Sequence, residues 1–254
     1  MISVSLRGVN LADIPAPVFT DRRSTSIEVH KHLRNLILDS TLPPGTPLKQ
    51  AELARMFGTS RTPLREAFRM LQEEGLIDAD LNQAGRVRGF DPNEIEQLYA
   101  ARIALEALGV RVSTGYLTDV EMERGRSLLV EMQELEHAGD MAQWGETHRR
   151  FHATCMARIA EPMVRTVTSF SERSERYLRL YQVWHPHSFS AAHDEHEAIL
   201  EAVGGSNPAA AASLMADHLA HTALTVLGDL APNANHHAVV EAVTMVAGRR
   251  RRRS

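Results

Sequence analysis

The chain of 254 residues holds one cysteine, Cys155. A single thiol closes no internal disulfide and builds no cysteine-based zinc site, which fits a reducing compartment. No apolar run approaches the ~18 residues that a membrane span requires, so no membrane partner is expected. The opening stretch "MISVSLRGVNLADIPAPVFTDRRS" lacks a basic segment followed by an apolar one. It does not read as a secretory leader, and the expected location is the cytoplasm. Aromatics are scarce, at 5% of an otherwise ordinary soluble composition. A glycine-rich phosphate loop, a nucleophile elbow and an acid–base set are all missing. "HRRFH" has the histidine spacing of a metalloprotease helix, but Arg149 stands where the general-base glutamate would be. The chain is expected not to be an enzyme. A metal-dependent enzyme acting on a small acid is the outlying alternative.

What is present is unevenly charged. Residues 21–90 carry eleven Lys/Arg against nine Asp/Glu. Residues 91–248 carry eleven against twenty-two, and the run "RRRRR" follows. A basic first segment and a strongly acidic second one point to different partners. The acidic part is repelled by DNA, so nucleic-acid contact belongs to the first segment or the tail.

The periodicity divides the chain into four parts. Residues 1–24 contain proline and polar residues without a sustained period and read as a loose arm. Residues 25–90 begin with a helix, in which Ile27, Val29, His30, Leu33, Ile37 and Leu38 recur near a ~3.6-residue period. "LPPGTPL" breaks it, because Pro43 and Pro44 cannot continue a helix. "KQAELARMFG" is a short amphipathic helix closed by Gly58. In "TPLREAFRML", Thr62 is placed to cap and Pro63 to occupy the first helical position. Leu64, Ala67, Phe68 and Leu71 then form the apolar stripe. "LIDADLNQAGRVRGF" reads as two short strands around a turn from Asn82 to Gly85. Residues 91–230 are helical segments with short loops, six or seven of them, which implies an antiparallel bundle. Residues 231–254 read as a tail, one loose helix ending in the basic run. That run is either a non-specific DNA tether or a disordered end. The fold class is therefore mainly α: a winged helix-turn-helix followed by an all-helical bundle.

The second helix of such a motif enters the major groove with its N-terminal residues nearest the bases. Arg61 and Arg65, four apart, share its outward face, and the arginine fork matches guanine O6 and N7. Ser60 and Thr62 can donate to phosphate. Lys49 and Gln50 stand ahead of the preceding helix, whose N-terminus can approach phosphate. Arg86 on the wing reaches toward an adjacent groove. Arg69, a turn farther along, is a phosphate contact or a solvated charge. These features point to double-stranded DNA. A two-fold homodimer on a palindromic operator is expected, since such a pair doubles its contacts.

"LILDSTLPPGTPLKQAELARMFGTSRTPLREAFRMLQEEGLI" closely resembles the DNA-binding domain of GntR-family bacterial transcription regulators. The resemblance implies operator-base contacts for Arg61 and Arg65, and it places the tight glycine of the wing at Gly85. The wing "LNQAGRV" is less basic than is usual in the family. "EIEQLYAARIALEALGV", "HRRFHATCMARIAEP" and "HDEHEAILEAVGGSNPAAAASLMADHLAHT" resemble the FCD ligand-binding domain of the FadR-like branch.

On their own, His148 and His152 are four apart and project from one helix face, a two-histidine metal clip. His196 and His218 adjoin apolar stripe positions and can turn inward. Four imidazoles in one core are costly without a shared cation, yet each is also readable as a satisfied core histidine. The FCD resemblance decides for a metal, held in many members by one aspartate and three histidines. His152, His196 and His218 fall on the motif, while His148 occupies the aspartate position. An all-imidazole set favours zinc or nickel over oxygen-preferring manganese or magnesium. His148 swinging away, leaving three ligands, is the alternative. His193 and His221 are substitutes or supporting partners, and His185 and His187 are loop residues. Arg102 matches an arginine often found in the domain, and serves either an anion or Glu106 at i, i+4. Tyr177, Arg179 and Tyr181 on a late helix are candidate cavity residues. The function so implied is a transcription regulator, a repressor rather than an activator, controlled by a small carboxylate effector at the metal. A metal sensor, with the ion itself as the signal, is the second reading.

Overall fold

A computed structural model of the chain describes residues 14–17, 19, 25–38, 41–79, 84–184 and 188–248. The expected wing turn at Asn82, the loop histidines His185 and His187, and the basic run lie outside these residues. So does the side chain of Tyr181. The described residues fall into two compact units that divide between Phe90 and Asp91.

The first unit contains α1 (Thr25–Leu38), β1 (Pro47–Lys49), α2 (Gln50–Met56), α3 (Arg61–Glu73), β2 (Ile77–Ala79) and β3 (Ala84–Val87). Val29 and Leu33 of α1, Leu53 of α2, and Leu64, Phe68 and Leu71 of α3 close one core with Leu42, Leu48 and Ile77. Truncating a side chain such as Leu64 there costs about 2–5 kcal/mol. Gly58 follows α2 with φ +64°, the left-handed conformation that ends the helix and turns the chain into α3. The α3 helix starts two residues earlier than its threonine and proline suggest. Its cap is Ser60, Thr62 lies inside the first turn, and Pro63 is tolerated there because its missing N–H has no intrahelical partner anyway. The wing has three antiparallel strands rather than two, in the order β1-β3-β2, with Leu48 opposite Gly85 and Ala79 opposite Gly85 on the other side. The added strand is the short "PLK" that follows the proline break. The expected loose arm is packed where it is described. Ile14 is buried in the core, and the Pro15 carbonyl lies 2.7 Å from His32 Nε2.

The second unit contains α4 (Pro92–Ser113), α5 (Asp119–Ala138), α6 (Met141–Cys155), α7 (Glu161–Trp184), α8 (Ser188–Gly204), α9 (Pro208–Leu230) and α10 (His237–Val246). Each of several starts is specified locally. Asp91 accepts from Asn93 N ahead of Pro92, Thr118 and Glu121 form a reciprocal capping box, and Asn207 accepts from Ala210 N ahead of Pro208. Helix α4 packs on α9, α10 and α7, and α5 packs on α6 and α8. The tail helix is docked rather than loose: α10 buries Val239 and Ala242, and Ala238 N donates to Glu96 Oε1 at 2.6 Å. No helix among the described residues is long and apolar enough to cross a membrane.

Candidate nucleic-acid interface and metal centre

Helix α3 buries Leu64, Ala67, Phe68 and Leu71 and turns Arg61, Thr62, Arg65 and Arg69 to solvent. Neither Arg61 nor Arg65 forms an ion pair with a described residue, so both guanidinium forks are available to an outside acceptor. Arg69 is held by Glu73 at 2.5 Å, which sets it apart from the other two. Ser60 is exposed at the same end, and Lys49 is exposed 4.0 Å from Glu52. Arg86, on β3, donates to the Gly45 carbonyl at 2.5 Å.

Two of the expected residues do not face outward. Gln50 is buried, because it shares the inward positions of α2 with Leu53 and Ala54, and its side chain leaves the DNA-facing set. Gly85 is no turn residue: it sits mid-strand, where a Cβ would stand 3.0 Å from Phe68 Cε1. The packing of the wing on α3 leaves a side chain there little room. Arg55, at the end of α2, is exposed and was not singled out by the sequence pattern.

In the second unit, α6 supplies His148 and His152, α8 supplies His196, and α9 supplies His218. All four are buried, and one ring nitrogen of each lies within 4.8 Å of the others. His148 Nε2 stands 3.1 Å from His152 Nε2 and 3.2 Å from His196 Nε2. Ligands about 2.0–2.1 Å from a tetrahedral zinc ion would be roughly 3.3–3.4 Å apart, slightly wider than these contacts. Carboxylates fix two of the rings from behind. His152 Nδ1 lies 2.8 Å from Glu106 Oε2, and His218 Nδ1 lies 2.7 Å from Glu195 Oε2. Each Nδ1–H is thereby committed to a carboxylate, which leaves the Nε2 lone pair directed at the cluster. His148 also stacks on Trp144, with ring centroids 4.8 Å apart. His196 Nδ1 is buried without a hydrogen-bond partner.

The electrostatics suit a cation rather than four protons. Burial, reinforced by the neighbouring histidines and Arg102, pushes His148 well below the usual imidazole range. Burial and the other rings do the same to His196. His152 is lowered by burial, with Glu106 opposing. Neutral imidazoles are the ligand form, and the Nε2 atoms converging at 3.1–3.2 Å are held together either by a proton on His148 Nε2 or by a cation between them. Burial raises the Glu106 carboxyl, but Arg102 and His152 override it and hold its pKa at about 2.

Arg102 makes the Glu106 pair, one of its two expected parts. It donates to Glu106 Oε1 at 2.6 Å and to Ser174 Oγ at 2.8 Å, and it lines a cavity beside the histidines. That cavity, about 20 Å³, is also walled by Trp144, His148, Gln182, His196, His218 and Thr222. Tyr177 and Arg179 are buried on α7 but do not line it. The turn of α7 aims Leu178 and Gln182, four apart, at the cavity, so the residues flanking Leu178 point elsewhere. Tyr177 instead donates to Glu94 Oε2 at 2.8 Å. His221 is no ligand and shares Glu195 with His218, at 2.8 Å, while His193 Nε2 lies 3.0 Å from Gln133 Nε2. Glu195 and Gln182 were missed. Glu195 had a signal, its place beside His196 in "HDEHE", whereas Gln182 had none.

Comparison with known proteins matches the same two parts. Residues 25–87 match the model of the bacterial regulatory proteins of the gntR family, and residues 97–221 match the FCD domain. An uncharacterized HTH-type transcriptional regulator from the TAR-I ttuE-ttuC' intergenic region of Agrobacterium vitis is 31% identical over 134 residues. That alignment spans 51% of this chain and 77% of the relative. A probable D-xylose utilization operon transcriptional repressor of Paenarthrobacter nicotinovorans is 31% identical over 147 residues, 56% of this chain and 64% of the relative. In the solved structure of E. coli McbR/YncC, 98% of the chain superposes on 82% of this one with a TM-score of 0.66 at 22% identity, a likeness of fold. With its winged helix-turn-helix and its helical bundle both matched, the chain belongs to the GntR family of bacterial transcription regulators, carries an FCD domain, and is not an enzyme.

Proposed function

We propose that this regulator is a homodimeric repressor that binds a palindromic operator and responds to a small carboxylate effector at a metal centre. His148, His152, His196 and His218 would hold one zinc or nickel ion. Arg61 and Arg65 would read bases, with Ser60, Thr62, Lys49 and Arg86 on phosphates or the neighbouring groove. The observation that carries this reading is the set of four buried imidazoles with ring nitrogens within 4.8 Å of one another, His148 Nε2 standing 3.1 Å from His152 Nε2 and 3.2 Å from His196 Nε2, braced from behind by Glu106 and Glu195. When bound, the cation supplies coordination positions that attract a carboxylate, and Arg102 adds a positive charge on the cavity wall. The cavity as it stands, about 20 Å³, holds little more than a water. Its walls come from α4, α6, α7, α8 and α9. An entering effector therefore displaces helices, and that displacement is what operator affinity would register. The shift is limited to the effector's differential affinity for the two states.

The test is thermal unfolding of metal-loaded protein with a set of small carboxylates, repeated after chelation. A ligand of the native state raises the melting temperature by mass action. A stabilising acid whose effect disappears on chelation supports the proposal, whereas one that persists unchanged refutes the metal anchor. The small cavity also favours a second reading, in which the ion itself is the signal. In that case operator affinity follows free metal over a regulatory range and no acid alters it.

A further inference from the structure

Gln182 lies on the wall of the histidine cavity, is 7% exposed, and leaves both its amide oxygen and its amide nitrogen without a partner. A buried amide unmet at both ends is costly, and native interiors contain few of them. The group it faces must satisfy a donor and an acceptor together. A second carboxylate would meet the amide nitrogen but repel the oxygen, and an apolar group would leave both unmet. A hydroxyl is the smallest group that offers both. Positive charge is already supplied elsewhere on the cavity wall by Arg102.

We infer that Gln182 is a specificity-determining residue, which selects carboxylates bearing a hydroxyl over their unsubstituted counterparts. The inference rests on the carboxylate reading of the same site. A hydroxy acid can meet both ends of the Gln182 amide, whereas a plain acid leaves at least one of them unmet.

The experiment is calorimetric titration of the zinc-loaded full chain with three matched pairs: glycolate and acetate, lactate and propionate, 3-hydroxybutyrate and butyrate. In at least one pair the wild type is expected to bind the hydroxy acid about 10-fold or more tightly. Gln182→Leu is expected to erase that preference while keeping its zinc and a melting temperature without acid at or above that of the wild type. The wild-type comparison stands even if the variant fails to fold. Equal binding within every pair, or a preference that survives in Gln182→Leu, overturns the role of Gln182 and leaves the carboxylate reading standing. Failure of all six acids to bind overturns the carboxylate reading and this inference with it.

Discussion

Glu195 tests whether the carboxylates behind the imidazoles tune the metal centre. It is half-buried and forks between His218 Nδ1 at 2.7 Å and His221 Nδ1 at 2.8 Å. Burial raises its carboxyl, but the two histidine contacts prevail and lower it, so the group is ionised at neutral pH. Glu195→Gln keeps the shape and leaves one acceptor oxygen for His218, but it removes the negative charge that makes the ring a stronger donor to the ion. Loss of such a supporting partner typically costs 10–100-fold in metal affinity, about 1.4–2.7 kcal/mol. Competition with a chromophoric chelator reads that range directly. The unfolding temperature of the metal-free variant should stay close to wild type, because among the described residues His218 is the one buried partner of Glu195. His221→Ala is the control: it removes the exposed branch of the fork and should weaken binding much less. Wild-type zinc affinity in Glu195→Gln would refute the reasoning, as would a loss in His221→Ala equal to that in Glu195→Gln.

Other outcomes follow from the same geometry. Arg65→Ala should lose sequence-specific operator binding, with about 1–3 kcal/mol less discrimination, while circular dichroism and melting stay unchanged because the side chain is exposed. Gly85→Ala should destabilise the winged unit by about 1–3 kcal/mol, since the new methyl meets Phe68 Cε1 at 3.0 Å and Ile77 Cδ1 at 3.3 Å. An unshifted melting temperature would show that the wing yields at no cost. Glu74, held by His30 at 2.6 Å and Arg34 at 2.8 Å, has a lowered carboxyl despite its burial. Its stabilisation is complete above the unfolded carboxylate range and is lost as the pH falls through the lower folded value. Denaturant titrations of Glu74→Gln should therefore show a shallower acid-side decline than wild type.

Much of the first unit was legible because its signals are local. The apolar stripe of α3, the left-handed Gly58 and the proline break each depend on a few neighbouring residues. The strand β1 was not legible, because three residues become a strand only through pairing with β3, nearly forty positions away. The burial of Gln50 and the mid-strand place of Gly85 were hidden for a related reason, since inward orientation and the approach of Phe68 are tertiary facts. In the second unit the four histidines were found through the i, i+4 spacing and a family resemblance. Spacing gives no hint of which face of α7 meets the cavity, so Tyr177 and Arg179 were named although Leu178 and Gln182 line it. The docking of α10 on α4 and α9 was likewise hidden, because a short apolar helix after a long acidic domain reads the same whether packed or free.

The most direct test of the metal centre is elemental analysis of the wild-type protein and His152→Ala, purified side by side. One zinc or nickel per chain in the wild type and a stoichiometric loss in the variant is the expected result. Full metal retention by His152→Ala, or a wild type without metal after supplementation, would contradict the four-histidine site.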